Sequence, residues 1–293
     1  MPVVPHGAVF AGASIRGAAH KLHNLPNQDA FGGSFVGDCN IIAVSDGHGA
    51  RPHFRSDRGA RFAVDAMHQA LAECLAEWAD SSRSARPQFL QQRCPDRIVN
   101  IWRDLVVRDE KADPIDKSSG TGVEIAYGAT CIVACLGPGF SFFAQLGDGD
   151  LVAATANGSL VKPLADDRGL VGEQTYSLCQ KDAPARFRTA LHMGQDELAR
   201  PAFVLVSTDG LSKSFARKHQ FLDVVRDLAK LSSAGDMDAL SRNLEPWLAQ
   251  VSEHGNGDDV TVMLFRDATR QMAYLAPPSN WKTVLNKLQR LWT

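Results

Sequence analysis

The chain lacks most of the features that assign a protein at a glance. Its charge is nearly balanced, 31 Lys and Arg against 33 Asp and Glu for a formal net charge of −2. That leaves no basic footprint for nucleic acid or an anionic membrane. No C-x-x-C occurs among Cys39, Cys74, Cys94, Cys131, Cys135 and Cys179, and their spacing is irregular. Zinc binding is therefore disfavoured, and core thiols in a reducing, cytoplasmic setting are expected. No apolar stretch is long enough to span a bilayer. The best candidate, Cys131 to Leu146, is broken by Gly137-Pro138-Gly139. Met1-Pro2-Val3-Val4-Pro5-His6 has neither the basic region nor the long apolar region of a secretion signal. There is no G-x-S-x-G, which argues against a serine hydrolase. There is no G-x-x-x-x-G-K-[ST], and no G-x-G-x-x-G after a strand, which argues against nucleotide binding.

What is present is an ordinary globular composition, 44% hydrophobic and 22% charged over 293 residues, enough for a core of normal size. Apolar runs predict strands over 9–15, 30–35, 40–45, 130–136, 141–146, 151–156, 202–207 and 260–265. The run 40–45 is nearly all apolar, as in a strand covered on both faces. Helical periodicity marks 60–75 with Ser56 as N-cap, then 87–107 with a break at Pro95, then 215–231, 237–251 and 279–292. Residues 17–28 read as a polar loop, and so do 109–122. Gly137-Pro138-Gly139 and Gly147-Asp148-Gly149 read as turns between antiparallel neighbours. Residues 166–199 read as a long irregular excursion of the kind that serves as a functional flap. No internal repeat or low-complexity linker is evident. The pattern predicts an α+β layered sandwich, with a domain over 1–268 and a C-terminal amphipathic helix over 269–293.

Three aspartates stand where apolar strands stop, each beside a glycine. They are Asp46 in Val44-Ser45-Asp46-Gly47-His48-Gly49, Asp209 in Ser207-Thr208-Asp209-Gly210, and Asp258 in Gly257-Asp258-Asp259-Val260. Singly, each has a plain reading: a turn at Asp46-Gly47, a helix cap at Asp209, a solvated turn at Asp258, a hairpin at Asp148. A lone His48 would be a structural histidine. Together they form an all-oxygen donor set suited to Mg²⁺ or Mn²⁺ over Zn²⁺. A bridging carboxylate such as Asp46 would hold two ions about 3.5–4 Å apart with one shared water.

Asn27-Gln28-Asp29-Ala30, Asp46-Gly47-His48-Gly49, Gly147-Asp148-Gly149, Thr208-Asp209-Gly210 and Asp258-Asp259-Val260-Thr261-Val262, in this order, resemble the motifs of the metal-dependent protein phosphatases of the PPM (protein phosphatase 2C) type, in a compact bacterial branch. The resemblance implies a four-layer α-β-β-α sandwich of two mainly antiparallel sheets flanked by helices. It implies hydrolysis of phosphoserine and phosphothreonine in a phosphorylated protein, the product of a Ser/Thr kinase. The attacking group would be a metal-activated water at a binuclear Mn²⁺ or Mg²⁺ site, with no covalent phosphoenzyme. By resemblance, Asp46 bridges the ions and the Gly47 carbonyl binds one. Asp209 and Asp258 complete the other, Asp29 orients water, and His48 is the general acid.

This chain departs from the family pattern at four places. Gln28 replaces a common Glu. Asn24 stands at a common phosphate-binding arginine, leaving His20, Lys21 and His23 as candidates for phosphate, with Arg16 further off. Lys213 stands at a common Asp, which argues against a third ion on Asp148 and offers an ammonium that could meet phosphate. Asp259 replaces a common Asn. Arg186 and Arg188 in the excursion are candidate substrate contacts. Trp281 and Trp292 belong to a C-terminal helix outside the pattern. Two alternatives stay open: a pseudophosphatase that binds phosphoproteins without turnover, and a hydrolase of small phosphoesters.

Overall fold

The computed structural model describes residues 8–80, 86–116, 120–165, 175–233, 237–270 and 272. Among the described residues, ten strands form two five-stranded antiparallel sheets. The first sheet contains β1 (Ala8–Ile15), β6 (Asp150–Ala154), β7 (Leu160–Val161), β9 (Phe203–Ser207) and β10 (Val260–Asp267), in the order β1-β10-β9-β6-β7. The second contains β2 (Asp29–Val36), β3 (Cys39–Asp46), β4 (Cys131–Gly137), β5 (Phe140–Leu146) and β8 (Arg188–Met193), in the order β2-β3-β4-β5-β8.

Side-chain alternation along each central strand explains the layering. On β3, Ile42 and Val44 face the other sheet and, with Ile132 and Phe143 of their own sheet, pack with its Val204, Val206 and Met263. Ile41 and Ala43 face outward against Ala63, Met67, Leu71, Ile98 and Trp102. Those residues come from α2 (Ser56–Asp80) and α3 (Arg86–Ala112). On β9, Val204 and Val206 point between the sheets, while Phe203 and Leu205 pack with Val224, Leu228, Leu244 and Trp247. These last lie on α7 (Lys218–Ser233) and α8 (Met237–His254). Strands apolar at every position are the signature of a sheet buried on both faces, and the result is the expected four-layer α-β-β-α sandwich. Every described cysteine is a free thiol, and all but Cys179 are buried. Among the described residues no helix is long and apolar enough to cross a membrane.

Six local expectations are corrected. Helix α3 runs unbroken through Pro95. A helix-interior proline costs ~3 kcal/mol. Leu90, Ile98, Val99 and Trp102 on the same helix are fully buried, and each contributes about 1.5–3 kcal/mol by burial, so packing outweighs the break. Its last turn occupies the start of the stretch read as a 109–122 loop, and the single turn α4 (Val123–Ala126) follows that stretch. Ser56 is the first helical residue of α2, and its hydroxyl accepts from Gln28 Nε2 at 2.6 Å. The polar stretch 17–28 contains one turn of helix, α1 (Ala18–Leu22). Its free N–H groups are met from afar: Ala18 N donates to Ser252 Oγ and Ala19 N to the Gly257 carbonyl. The excursion is not wholly irregular, since it contains α5 (Ala183–Arg186) and the edge strand β8, paired with β5. Residues 166–174 of that excursion and the expected helix 279–292 lie outside the described residues.

The Gly147-Asp148-Gly149 correction matters most for function. It is not a hairpin turn. β5 and β6 belong to different sheets, and the turn carries the chain across the sandwich. Asp148 therefore sits between the sheets at one end of the molecule.

Candidate active site

The strand ends bring the carboxylates together. Asp29 opens β2 and Asp46 closes β3, and the two are register partners. Asp209 begins α6 (Asp209–Ser212), directly after β9. Asp258 precedes β10, which pairs with β9 through Val262 and Ser207. All of these ends meet at a cleft of about 810 Å³ lined by Asp46, Gly47, His48, His53, Asp148, Thr175, Asp209, Lys213 and Asp258, among others. Asp29 lies behind Asp46, buried. A second cavity of about 790 Å³ lies by the β2–β3 hairpin and is lined by Asp38, Asn40, Pro138, Arg200 and Asp267. It gathers none of the motif residues.

Buried hydrogen bonds fix the carboxylates. The Thr208 hydroxyl donates to Asp29 Oδ2 at 2.8 Å and accepts from Thr261 N at 3.0 Å, tying β2 to the ends of β9 and β10. Asp259 takes Gly17 N on one oxygen and Gln28 N on the other, both at 2.6 Å. It clamps these two backbone segments together. Gly47 is a glycine for want of space: a Cβ there would lie 2.5 Å from the Ser56 carbonyl oxygen and 2.6 Å from that of Gln28.

The electrostatics record the crowding. Burial, then the charges of Asp29, Asp209, Asp258 and Asp148, hold the Asp46 carboxyl well above its ordinary range. Burial and Asp259 do the same to Asp29. Burial and Asp148 raise Asp209 to about 6, against opposition from Lys213. Asp148 is the exception. Burial pushes it up, but Lys213 and the Thr175 hydroxyl overcome that and hold it low.

His48 and His53 face each other across the cleft wall with ring centroids 4.8 Å apart, edge to face. Burial, then His53, pulls His48 down to about 4, so the imidazole is neutral at pH 7. Gly128 is what lets the pair fit. A Cβ there would lie 2.5 Å from His53 Nδ1 and 2.8 Å from His48 Cδ2. Gly128→Ala is therefore expected to displace both rings, destabilising the fold by about 1–3 kcal/mol and lowering any His48-dependent activity. Thermal unfolding beside a rate assay checks this, and unchanged values in both would refute it.

The phosphate candidates separate. His20 lines the cleft with Nδ1 2.9 Å from Asp259 Oδ2, out of line for a hydrogen bond, and Nε2 3.6 Å from Asp258 Oδ1. Lys21 and His23 are exposed and do not line the cleft. Asn24 is exposed, with a left-handed φ of 55°. Arg16 donates to the His20 carbonyl. Arg186 pairs with Asp182, and Arg188 donates to the Ala165 and Gly147 carbonyls. Lys213 pairs with Asp148 and Asp209. The residues missed in the sequence are His53, Gly128, Thr175 and Thr208. Only Thr208 had a signal, its place inside the Asp209 motif.

Divalent ions fit this donor set chemically. Hard carboxylate oxygens surround one cleft with too little positive charge to balance them. Beneath the Asp46–Gly49 turn, buried Gln28 Oε1 has no hydrogen-bond partner among the described residues. Among those residues no three ligating side chains are already gathered at coordination spacing, so the fit is one of donor type and charge.

Fold and site define a two-sheet sandwich with an acidic cleft at one end. The sequence pattern of protein phosphatase 2C matches residues 16–249, and the chain belongs to that family. The match includes Asp29, Asp46, His48, Asp148 and Asp209 and stops before Asp258. No curated protein matches the sequence. Among solved structures, the serine/threonine phosphatase Stp1 of Staphylococcus aureus is 15% identical, with a TM-score of 0.57 over 90% of this chain and 95% of that one. PppA of Pseudomonas aeruginosa, described as a regulatory component of a T6SS, is 18% identical, with a TM-score of 0.57 over 88% and 97%. Serine-threonine phosphatase 2C from Toxoplasma gondii is 16% identical, with a TM-score of 0.59 over 90% and 96%. At these identities the likeness is one of fold.

Proposed function

We propose that this protein hydrolyses phosphoserine and phosphothreonine in proteins, using Mn²⁺ or Mg²⁺. The observation that carries this reading is the convergence of Asp46, Asp148, Asp209 and Asp258 on one cleft with Asp29 buried behind Asp46, where burial and mutual repulsion raise Asp29, Asp46 and Asp209. Gathering them without a cation is costly. Asp46, the Gly47 carbonyl, Asp209 and Asp258 would hold the ions. When bound, the ions supply an activated water and charge stabilisation for the phosphoryl group. Asp29, held by Thr208, orients groups next to Asp46. His48 donates a proton to the leaving serine or threonine oxygen. In the free protein it is neutral, and the dianionic phosphate beside it supplies the field that raises its proton affinity.

A second reading, a phosphoprotein-binding module without turnover, is favoured by one observation: the Lys213 ammonium lies on two of the cleft carboxylates. Turnover of a phosphothreonine peptide and of p-nitrophenyl phosphate separates the two. Mn²⁺-dependent hydrolysis abolished by EDTA is expected for the phosphatase. Peptide binding without hydrolysis, with metal bound, would establish the second reading. His48→Ala is expected to slow the peptide, with its poor leaving group, by about 10²-fold or more and p-nitrophenyl phosphate much less. Equal losses would remove the proton-donor role.

A further inference from the structure

Lys213 is the side-chain cation that closes on this acidic cleft from α6. Its Nζ lies 3.1 Å from Asp148 Oδ2 and in direct contact with Asp209 Oδ2. Its backbone N–H also donates to the Asp209 carbonyl at 2.9 Å, so the residue is anchored on Asp209 twice. The other oxygen of Asp148 accepts from the Thr175 hydroxyl at 2.8 Å. Both Asp148 oxygens are thus engaged, one by a hydroxyl and one by an ammonium. Asp148 has no free oxygen for a metal unless one of those contacts opens. The charge count agrees. Two carboxylates with one ammonium leave a single negative charge on this edge, a poor match for another divalent ion, which seeks several oxygen ligands.

We propose that the Lys213 ammonium is a resident cation of the cleft: it occupies the edge between Asp148 and Asp209, excludes a divalent ion from it, and lowers by one the number of ions the chain takes up. The inference rests on the reading above that the cleft binds divalent ions, and it concerns how many it takes. It also gives Lys213 a different task from binding phosphate. The four-residue step from Asp209 to Lys213 along one helical turn brings the ammonium back over the carboxylate. Asp148 reaches it only because its turn crosses between the sheets.

Counting bound Mn²⁺ tests this without an activity assay. Titration calorimetry and elemental analysis of the full chain after desalting would be run on the wild type, Lys213→Arg, Lys213→Met and Lys213→Asp. Lys213→Arg keeps the charge and is expected to match the wild type. Lys213→Met and Lys213→Asp are expected to bind one more ion per chain, more tightly in Lys213→Asp. The Lys213 side chain is about half exposed, 52%, so none of these changes disturbs the core, and far-ultraviolet circular dichroism verifies the fold. The same ion count in all four proteins would overturn the proposal. If the wild type binds no ion but Lys213→Asp does, the resident-cation inference stands and the metal-dependent reading of the natural protein falls. If no protein binds any ion, both fall.

Discussion

Asp46→Asn is expected to lower Mn²⁺-dependent hydrolysis on the order of a thousandfold while making the metal-free protein more stable. The two halves of this prediction have one cause. Asp46 is pushed up by burial and by four neighbouring carboxylates, so in the absence of a cation its charge opposes folding. Asparagine is nearly isosteric and carries no charge, and the repulsion disappears. The same substitution removes a carboxylate that the proposed function assigns to the ions. A thousandfold loss corresponds to ~4 kcal/mol of transition-state stabilisation, reasonable for a ligand that sets both ion affinity and geometry. Steady-state rates at saturating Mn²⁺ and thermal unfolding in EDTA read the two halves separately. Loss of both activity and metal-free stability would mean that Asp46 serves chiefly to hold the fold, and would sink the proposal.

The second large effect is on stability against pH. Without metal, stability is expected to fall between about pH 4 and pH 7, and Mn²⁺ to oppose the fall. Folded Asp209 keeps its proton up to about pH 6, whereas the ordinary carboxyl loses it near 3.8. Between these values the folded state binds more protons than the unfolded, so stability drops as pH rises. The penalty is absent below about 3.8 and complete above about 6, where it amounts to ~3 kcal/mol. Asp29 and Asp46 are raised as well and act in the same direction. His48 opposes them. Its folded value of about 4 lies below the ordinary 6.5, so it adds stability as pH rises through that interval and loses it as pH falls, again ~3 kcal/mol. Burial lowers His68 as well and raises Asp259, so two imidazoles stand against four carboxyls and a net decline remains.

Ions bind only the deprotonated carboxylates, so their stabilisation grows over the same range. At a hundredfold excess over Kd the gain is about 2.7 kcal/mol, roughly 4–5 °C in Tm for a chain of this size. Thermal scans from pH 4.5 to 8, with EDTA and with Mn²⁺, check both trends. A Tm gain from Mn²⁺ that is equal at pH 5 and pH 7.5 would contradict the assignment of these carboxylates as ligands.

Much of this was legible in the chain. The continuous apolar run of β3 announced a strand covered on both faces, and the motifs around Asp46, Asp209 and Asp258 carry the family resemblance in the sequence alone. These signals are local, since each needs only a few adjacent residues and a strand's own period. The errors were also informative. Pro95 argued for a break that Leu90, Ile98, Val99 and Trp102 override by burial. The α1 turn was invisible because acceptors for its free N–H groups come from Ser252 and Gly257. Gly147-Asp148-Gly149 looked like a hairpin because a turn's composition does not say to which sheet the next strand belongs.

The sequence by itself determined the donor chemistry: carboxylates at strand ends, a histidine beside them, and a lysine where the family pattern carries a carboxylate. Only the tertiary structure decided what those groups do to one another. Charge interactions depend on distance and burial through space, and residues 29, 46, 148, 209 and 258 become neighbours only when both sheets close. That closure raises Asp29, Asp46 and Asp209, makes Asp259 a clamp, and sets His53 against His48. It also delivers Asp148 to Lys213, where the cleft meets its own cation.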